Sequence, residues 1–460
     1  MPEECFLTTS DVAKRLGVKP ETVYAYVSRG LLTNVRPGDR RGSLFAESEV
    51  EALAERRRSN RRPTGVVERT RTSLTLLTEN EVYYRGLPLS ELVATEPFEA
   101  VARLLWTGRL GDREPFRAPR ELLDVATRAV ATLPQGVRTT DRIRVAVVTA
   151  GAADHLRHDP DPTATTRRAA AIMAVAVDAL AEHPHGDERG LGVRLWPSLA
   201  GGRDATADEA TALTTLLTVM ADHDLAASTL VARVAASTRA HPYAVVSAGL
   251  GAMDGEQHGS TSTLARRLLL DALDDPVAAL AERLRGGAPI PGFGHRVYTA
   301  QDPRANIIFA LLQDSPVLAT VDWLTEQLAD RPEHFPNASL ALAAFAIHHG
   351  LVADAGESIF AIARMAGWVA HALEEYGEAT LRFRAEGLYR GPSPGRSRLA
   401  APQSGTSAGG ADDPSKPSSP SLRATSDSKP YGTPPNGQSR LPARAVDSAE
   451  QGAKRGRAGG

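Results

Sequence analysis

The sequence predicts a mainly α protein, and three observations carry that prediction. Apolar residues recur at three- and four-residue spacing through PFEAVARLLWTG, TTRRAAAIMAVAVDALAEH and DPVAALAERLR, the period of a helix with one buried face. The alternating β-branched runs of a large sheet are scarce. The composition also changes twice along the chain, marking a small unit over 6–58, a helical body over 66–392 and a tail over 393–460, with a basic linker at 59–65.

The bulk numbers set limits. At roughly 100–200 residues per domain, 460 residues allow two to four units. A hydrophobic fraction of 42% is enough for a sizeable core. The single cysteine, Cys5, excludes an internal disulfide framework and fits a reducing compartment. The opening MPEECFLTTS lacks the basic stretch and apolar run of a secretion signal. No apolar run reaches the ~20 residues that a membrane span needs. A cytoplasmic protein with no membrane association is therefore expected. The net charge of -2 hides an excess of cations near the N-terminal unit.

In that unit, FLTTSDVAKRLGVKPETVYAYVSRGLL reads as two short helices around a tight turn at Gly17. Thr9 or Ser10 is expected to cap the first helix. Val12, Ala13 and Leu16 form its buried face. Pro20 suits the first turn of the second helix, where no amide donor is needed. Val23 and Val27 then pack inward, leaving Thr22, Tyr24 and Ala25 outward. NVRPGDRRGSLF reads as a small β-wing with Arg36, Arg40 and Arg41 at its tip, followed by a helix and the arginine-rich RRRSNRRP. The ordered pattern resembles the winged helix-turn-helix of the MerR and excisionase families. The resemblance implies that the second helix enters a major groove of double-stranded DNA and the wing arginines meet phosphates.

The tail is rich in Pro, Ser, Gly and Ala and has one aromatic residue, Tyr431. It cannot bury enough apolar surface to offset the entropy of ordering, so it is expected to be disordered.

Four segments of the helical body carry chemistry. ADHDLAASTLVARVAAS holds His223. GAMDGEQHGSTS holds His258 between Gly255 and Gly259. PIPGFGHRVYTAQDPRANII holds His295, Arg296 and Arg304. SIFAIARMAGWVAHALEEY places Arg364 among apolar neighbours with no acid on its C-terminal side until Glu374, and a buried arginine needs an anionic partner. LRFRAEGLYRGP adds Arg382 and Arg384. Arginine forks bind carboxylates bidentately, and histidines move protons near neutral pH. The set suits a small polycarboxylate substrate. Zinc is a weaker reading, because the histidines are far apart and no HxxxH or CxxC pair is present.

The order HDLAAST, GEQHG, GFGHRVY with DPRA, IFAIARMAGW and LRFRAEGLY, preceded by the Tyr84-Arg85-Gly86 element, resembles the citrate synthase signature. The resemblance spans roughly 320 residues. It implies a helical fold of two domains, a larger one at 66–203 and 337–392 and a smaller one at 204–336 that closes over it. It implies an acyltransferase condensing acetyl-CoA, or a close acyl-CoA, with oxaloacetate to citrate and CoA. Acetyl-CoA is then a co-substrate, with no cofactor and no metal. His258 matches the histidine that binds the thioester carbonyl and stabilises its enol. His295 matches the one that polarises the ketone of oxaloacetate. His223, Arg304 and Arg364 match substrate-binding positions, and Arg382 matches an arginine lent by the second subunit of a homodimer. The backbone of Gly292, Phe293 and Gly294 would lie along CoA.

One position departs from the family. Its general-base aspartate falls at Ser339, in PNASLALAAF, and a serine hydroxyl is a poor base at neutral pH. Losing a positioned base slows a reaction by ~10²–10⁴. Lesser departures are Gly259–Ser262 after His258, Ala226 for an expected asparagine, and TENEVYY, which lacks an Asp-Gly before the YRG element. Three readings follow. The domain is an attenuated synthase, with another group or water as base, Asp354 and Glu357 being candidates. Or it is a silent sensor of oxaloacetate, citrate or CoA coupled to DNA binding. Or it is a structural partner in mixed dimers with an active synthase.

Overall fold

The computed structural model describes residues 6–16, 18–28, 31–35, 43–51, 53, 70–181, 189–287, 289–312, 314–331 and 333–383. The wing tip with Arg36, Arg40 and Arg41, the linker at 59–65 and the tail at 393–460 lie outside them. The chain divides into two compact units, Met1–Gly387 and Leu388–Gly460, and the second lies wholly outside the described residues.

Near the N-terminus, helices Thr9–Leu16 and Pro20–Ser28 follow a strand, Phe6–Thr8, paired antiparallel with Leu44–Ala46. Val12, Val23, Phe45 and Val50 are fully buried in a small core of their own. The expected cap at Thr9 or Ser10 is one residue late. The Thr8 hydroxyl donates to Asp11 Oδ2 at 2.6 Å, and Asp11 N donates to Thr8 Oγ1 at 3.3 Å. Three residues separate the pair, so Thr8 satisfies a free amide of the first turn while Asp11 reaches back. Tyr24 stands outward, 57% exposed, and Thr22 is half-buried.

The helical body opens with a three-stranded antiparallel meander of Thr75–Leu77, Val82–Tyr84 and Leu87–Pro88. Its second turn is Arg85-Gly86, at φ 52° and 85°. This is the left-handed pair that a two-residue hairpin requires. Arg85 is held there by its side chain, which donates to the Leu105 carbonyl at 2.8 Å and to Ser73 Oγ at 2.6 Å.

From Leu89 to Tyr376 the described elements are helices. Ala355–Tyr376 is the central one, and every residue from Ala355 to Ala372 is buried. Its sequence is apolar on every face, which only a helix enclosed by others can satisfy. Helices Phe98–Thr107, Pro162–Asp178, Ala207–Met220, Ala227–Ser237 and Pro242–Met253 pack around it. A second group packs mutually: Thr261–Asp274, Pro303–Phe309, Pro316–Gln327 and Ala338–His348. Among the described residues no helix is long and apolar enough to cross a membrane.

Candidate active site

The loops that begin these helices bring most of the predicted residues together. The loop at 291–295 is pinned to the segment before Ala338–His348. Gly294 N donates to the Phe335 carbonyl at 2.7 Å, and Asn337 N donates to the Gly292 carbonyl at 2.9 Å. Asn337 Nδ2 adds a bond to the Gly294 carbonyl at 2.8 Å. Gly292 and Gly294 have φ of 86° and 75°. A Cβ at Gly292 would come within 2.8 Å of the Leu340 side chain, and one at Gly294 within 2.7 Å of the Glu333 carbonyl oxygen. The glycines are therefore demanded by the loop's own packing, quite apart from any ligand.

The loop delivers His295. Its Nδ1 accepts from the amides of Val297 and Tyr298 at 3.1 and 3.4 Å. Arg304 Nη2 faces Nε2 at 3.4 Å, so N–H donors meet both ring nitrogens and these contacts select no single tautomer. His295 lies edge-on to His223 with ring centroids 5.2 Å apart. His223 Nε2 meets the Tyr298 hydroxyl at 3.0 Å. Burial, then Arg304, depresses His295 to about 4. Burial, then Arg304 and Arg364, holds His223 well below the usual range. Both rings are neutral at pH 7.

Arg304 begins its helix beside Asp302, which caps it. Arg304 donates from Nε to Asp302 Oδ1 at 3.0 Å and from Nη2 to Oδ2 at 2.8 Å. Asp302 Oδ2 also accepts from Ala338 N at 2.9 Å. Burial pushes the Asp302 carboxyl up, but Arg304 more than offsets this and leaves it below its usual value. Arg364 is 1% exposed and donates from Nε to the Met220 carbonyl at 2.9 Å. Burial lowers it to about 10 despite the nearby Asp222. A carboxylate placed on its fork would restore what burial removes.

Arg364 also connects this cluster to a second one. Its guanidinium lies 4.6 Å over the Phe360 ring, and Phe360 stands edge-on to His258 at 5.5 Å. His258 Nε2 meets Ser228 Oγ at 2.7 Å, and the Ser228 amide points at the same nitrogen at 3.4 Å. Trp368 Nε1 donates to Ser228 Oγ at 3.2 Å. The Ser228 amide can only donate, so Nε2 is an acceptor and the Ser228 hydroxyl proton turns to it. The ring must then carry its own proton on Nδ1. Burial, then Arg364, lowers His258 to about 4.

Ser339, half-buried in the first turn of its helix, meets Thr261 Oγ1 at 2.8 Å. Thr261 Oγ1 donates to the His258 carbonyl at 2.8 Å. Thr261 has one hydroxyl proton, so the Ser339 proton points at Thr261. Ser339 is thus two hydrogen bonds from the His258 backbone and holds no free base. The two other candidate bases are committed elsewhere. Asp354 accepts from Thr139 N. Glu357 accepts from the Thr263 hydroxyl and lies 3.7 Å from Arg138.

Arg382 is not brought to either cluster. It forms a fork on Glu375 of its own chain, 2.7 Å at both contacts. Glu375 also holds Arg233, which donates to His371 Nδ1 at 2.8 Å. His371 Nε2 then faces Asp222 Oδ2 at 3.4 Å. This buried chain runs from the residue beside His223 to the C-terminal segment.

Ser228, Tyr298, Asp302, Trp368 and Asp222 were not singled out from the sequence. All five lie inside the quoted segments, but nothing in their spacing shows which side chain each would touch. A separate cleft of about 380 Å³, lined by Val148, Arg157, His241 and Tyr243 among others, contains none of the predicted residues.

Comparisons with known proteins match both parts of the chain. Residues 64–386 match the family model described as citrate synthase, C-terminal domain, and residues 6–58 match a helix-turn-helix domain. The chain is 28% identical over 344 residues to a citrate synthase of Haloferax volcanii, covering 68% of this chain and 90% of that one. It is 28% identical over 350 residues to 2-methylcitrate synthase 1 of Corynebacterium glutamicum, again covering 68% and 90%. In fold it is similar to the citrate synthase of Thermoplasma acidophilum, solved as a ternary complex with carboxymethyl coenzyme A and oxaloacetate. There the TM-score is 0.62 at 22% identity, over 72% of this chain and 96% of that one.

Proposed function

The chain belongs to the citrate synthase family, and we propose that its helical body condenses an acyl-CoA thioester with oxaloacetate. The observation that carries this reading is the convergence of two neutral histidines, His258 and His295, with the buried arginines Arg304 and Arg364. His258, with Nδ1–H directed away from Ser228, suits hydrogen bonding to the thioester oxygen and to the enol formed from it. His295, once Arg304 turns to a substrate carboxylate, can present Nε2–H to the ketone of oxaloacetate. Arg304 and Arg364 suit its carboxylates, and His223 its remaining oxygens. The backbone from Gly292 to Gly294 suits contact with CoA. Closure of the 204–336 segment would exclude water and tighten these contacts. With Ser339 in place of a carboxylate, acetyl-CoA is a slow donor.

The test follows thiol release from acetyl-CoA with oxaloacetate, in the native chain and in Ser339→Asp. Slow native turnover that rises about 10²–10⁴-fold in the variant is expected. If oxaloacetate and CoA fail to raise the melting temperature, the binding roles of His223, Arg304 and Arg364 are wrong.

A homodimer fits this reading. Leu230, Val231 and Val234 form an apolar stripe on the Ala227–Ser237 helix, each 39–40% exposed. Arg382 would reach a second active site only by exchanging Glu375 for a substrate carboxylate. Light scattering showing a monomer at micromolar concentration would exclude that role.

A second reading has one observation of its own, the helix-turn-helix match at 6–58 with Tyr24 outward. Here the N-terminal unit binds double-stranded DNA through Thr22, Tyr24 and the wing residues Arg36, Arg40 and Arg41, and the helical body senses its ligands. A gel-shift titration would show affinity falling steeply with salt, since phosphate contacts release counterions. Salt-independent or absent binding would count against it.

A further inference from the structure

Resting on the reading above, we propose that the acyl donor of this site is a β-carboxyacyl thioester of coenzyme A, of the malonyl type, activated by loss of CO2 instead of loss of a proton. Making an enol from acetyl-CoA needs a base at the methyl group. Among the described residues in contact with His258, none supplies one. Ser228 spends its proton on His258, and Phe360 is apolar. Thr261 and Ser339 form a hydroxyl pair whose protons are both directed along the chain to the His258 carbonyl. Asp354 and Glu357 are held by Thr139, Thr263 and Arg138.

The same arrangement suits a donor that carries its own carboxylate. Hydroxyls at Ser339 and Thr261 can turn to donate to an anion, where an aspartate would repel it. Arg364, buried beside Phe360 and bound to protein through Nε alone among its hydrogen bonds, adds a positive field. What is retained is the apparatus for the steps after enolate formation.

The steps balance without a base. The bond between the carboxyl carbon and the methylene breaks, CO2 leaves, and its electron pair forms the enolate. The enolate oxygen accepts from His258 Nδ1–H. The enolate carbon attacks the ketone carbon of oxaloacetate, and the ketone oxygen takes the proton of His295 Nε2. Water then cleaves the thioester to citrate and CoA, and ionisation of the new carboxyl group returns a proton to His295. No C–H bond is broken.

The full chain would be mixed with oxaloacetate and either malonyl-CoA, labelled with ¹³C in its free carboxyl, or acetyl-CoA. Labelled CO2, citrate and free thiol would be followed together. The expected result is CO2 and citrate formed one to one from malonyl-CoA, at about tenfold or more the acetyl-CoA rate, with Ser339→Asp reversing the preference. The inference is overturned if native protein prefers acetyl-CoA, or if citrate forms only after acetyl-CoA has accumulated by spontaneous decay. It is also overturned if malonyl-CoA is inert while Ser339→Asp turns over acetyl-CoA; the condensing site then stands and only the donor is wrong. If neither donor reacts in either protein and oxaloacetate gives no thermal protection, both readings fall.

Discussion

Replacing Ser228 by alanine tests the tautomer on which the reading of His258 depends. The hydroxyl sits between two groups: it receives the Trp368 indole N–H at 3.2 Å and gives its own proton to His258 Nε2 at 2.7 Å. Trp368 and Ser228 are fully buried, so the orphaned indole has no water to turn to. A buried donor left without its partner costs about 1–3 kcal/mol. At about 2–4 °C per kcal/mol for a domain of 150–250 residues, the melting temperature should fall by several degrees. The second consequence is specific to the site. With only the longer Ser228 amide contact, 3.4 Å, left at Nε2, the ring is freer to take the other tautomer, in which Nδ1–H is lost as a donor. Each 1.36 kcal/mol lost at the enol slows turnover about tenfold. The decisive assay is ¹⁵N NMR of His258 at pH 7 in both proteins. The native ring should show a protonated Nδ1 and a bare Nε2, and the variant a mixture. A native ring protonated at Nε2 would refute the argument, whatever the stability change.

Other predictions concern stability. Asp302→Asn leaves the buried Arg304 without its counter-charge and should cost about 3–5 kcal/mol, read as a lower denaturation midpoint at unchanged slope; a loss below about 1 kcal/mol would mean water already solvates the pair. Gly294→Ala and Gly136→Ala both force a side chain into positive φ, 75° and 78°, but only the first meets an atom, the Glu333 carbonyl at 2.7 Å. Both should lose about 1–2 kcal/mol for the backbone, and Gly294→Ala clearly more; equal losses would show that the loop simply shifts. His258 and His295 are both held near 4, against about 6.5 in an unfolded chain. The unfolded chain therefore binds protons between those values that the folded one does not, and stability falls as pH drops from 6.5 toward 4. Above that window the two rings contribute no slope. His258→Gln should flatten the melting-temperature profile across it; a profile as steep as the native one would remove burial of this ring as the cause.

Much of the site was legible because its residue types are rare in their settings. An arginine inside an apolar helix, as at Arg364, and a histidine between glycines, as at His258, stand out in one dimension. Helical periodicity was equally plain, because a packed helix repeats its buried face every three or four residues. The capping of the first helix was misread by one position. Thr8, Thr9 and Ser10 are all competent caps, and only the reciprocal bond with Asp11 chooses between them. Ser228 and His258 lie 30 residues apart, yet the Ser228 amide and hydroxyl decide which nitrogen of His258 carries the proton. Asp302 looks like an ordinary helix cap and is also the counter-ion of Arg304 and the acceptor for Ala338.

The sequence by itself determined which elements form and which ionisable groups are committed to the interior, since propensity, periodicity and residue type are local. The resemblance read from it also puts Ser339 at the position where the family's acid is expected. Only the tertiary structure decided that the Ser339 proton points at Thr261, that Asp354 and Glu357 are bound elsewhere, and that Arg382 rests on Glu375. Those outcomes depend on which of several nearby partners a hydrogen bond or an ion pair selects. That choice is made by distances of a few ångströms, between segments 78 residues apart for Ser339 and Thr261 and 215 apart for Asp354 and Thr139, and no local pattern encodes them.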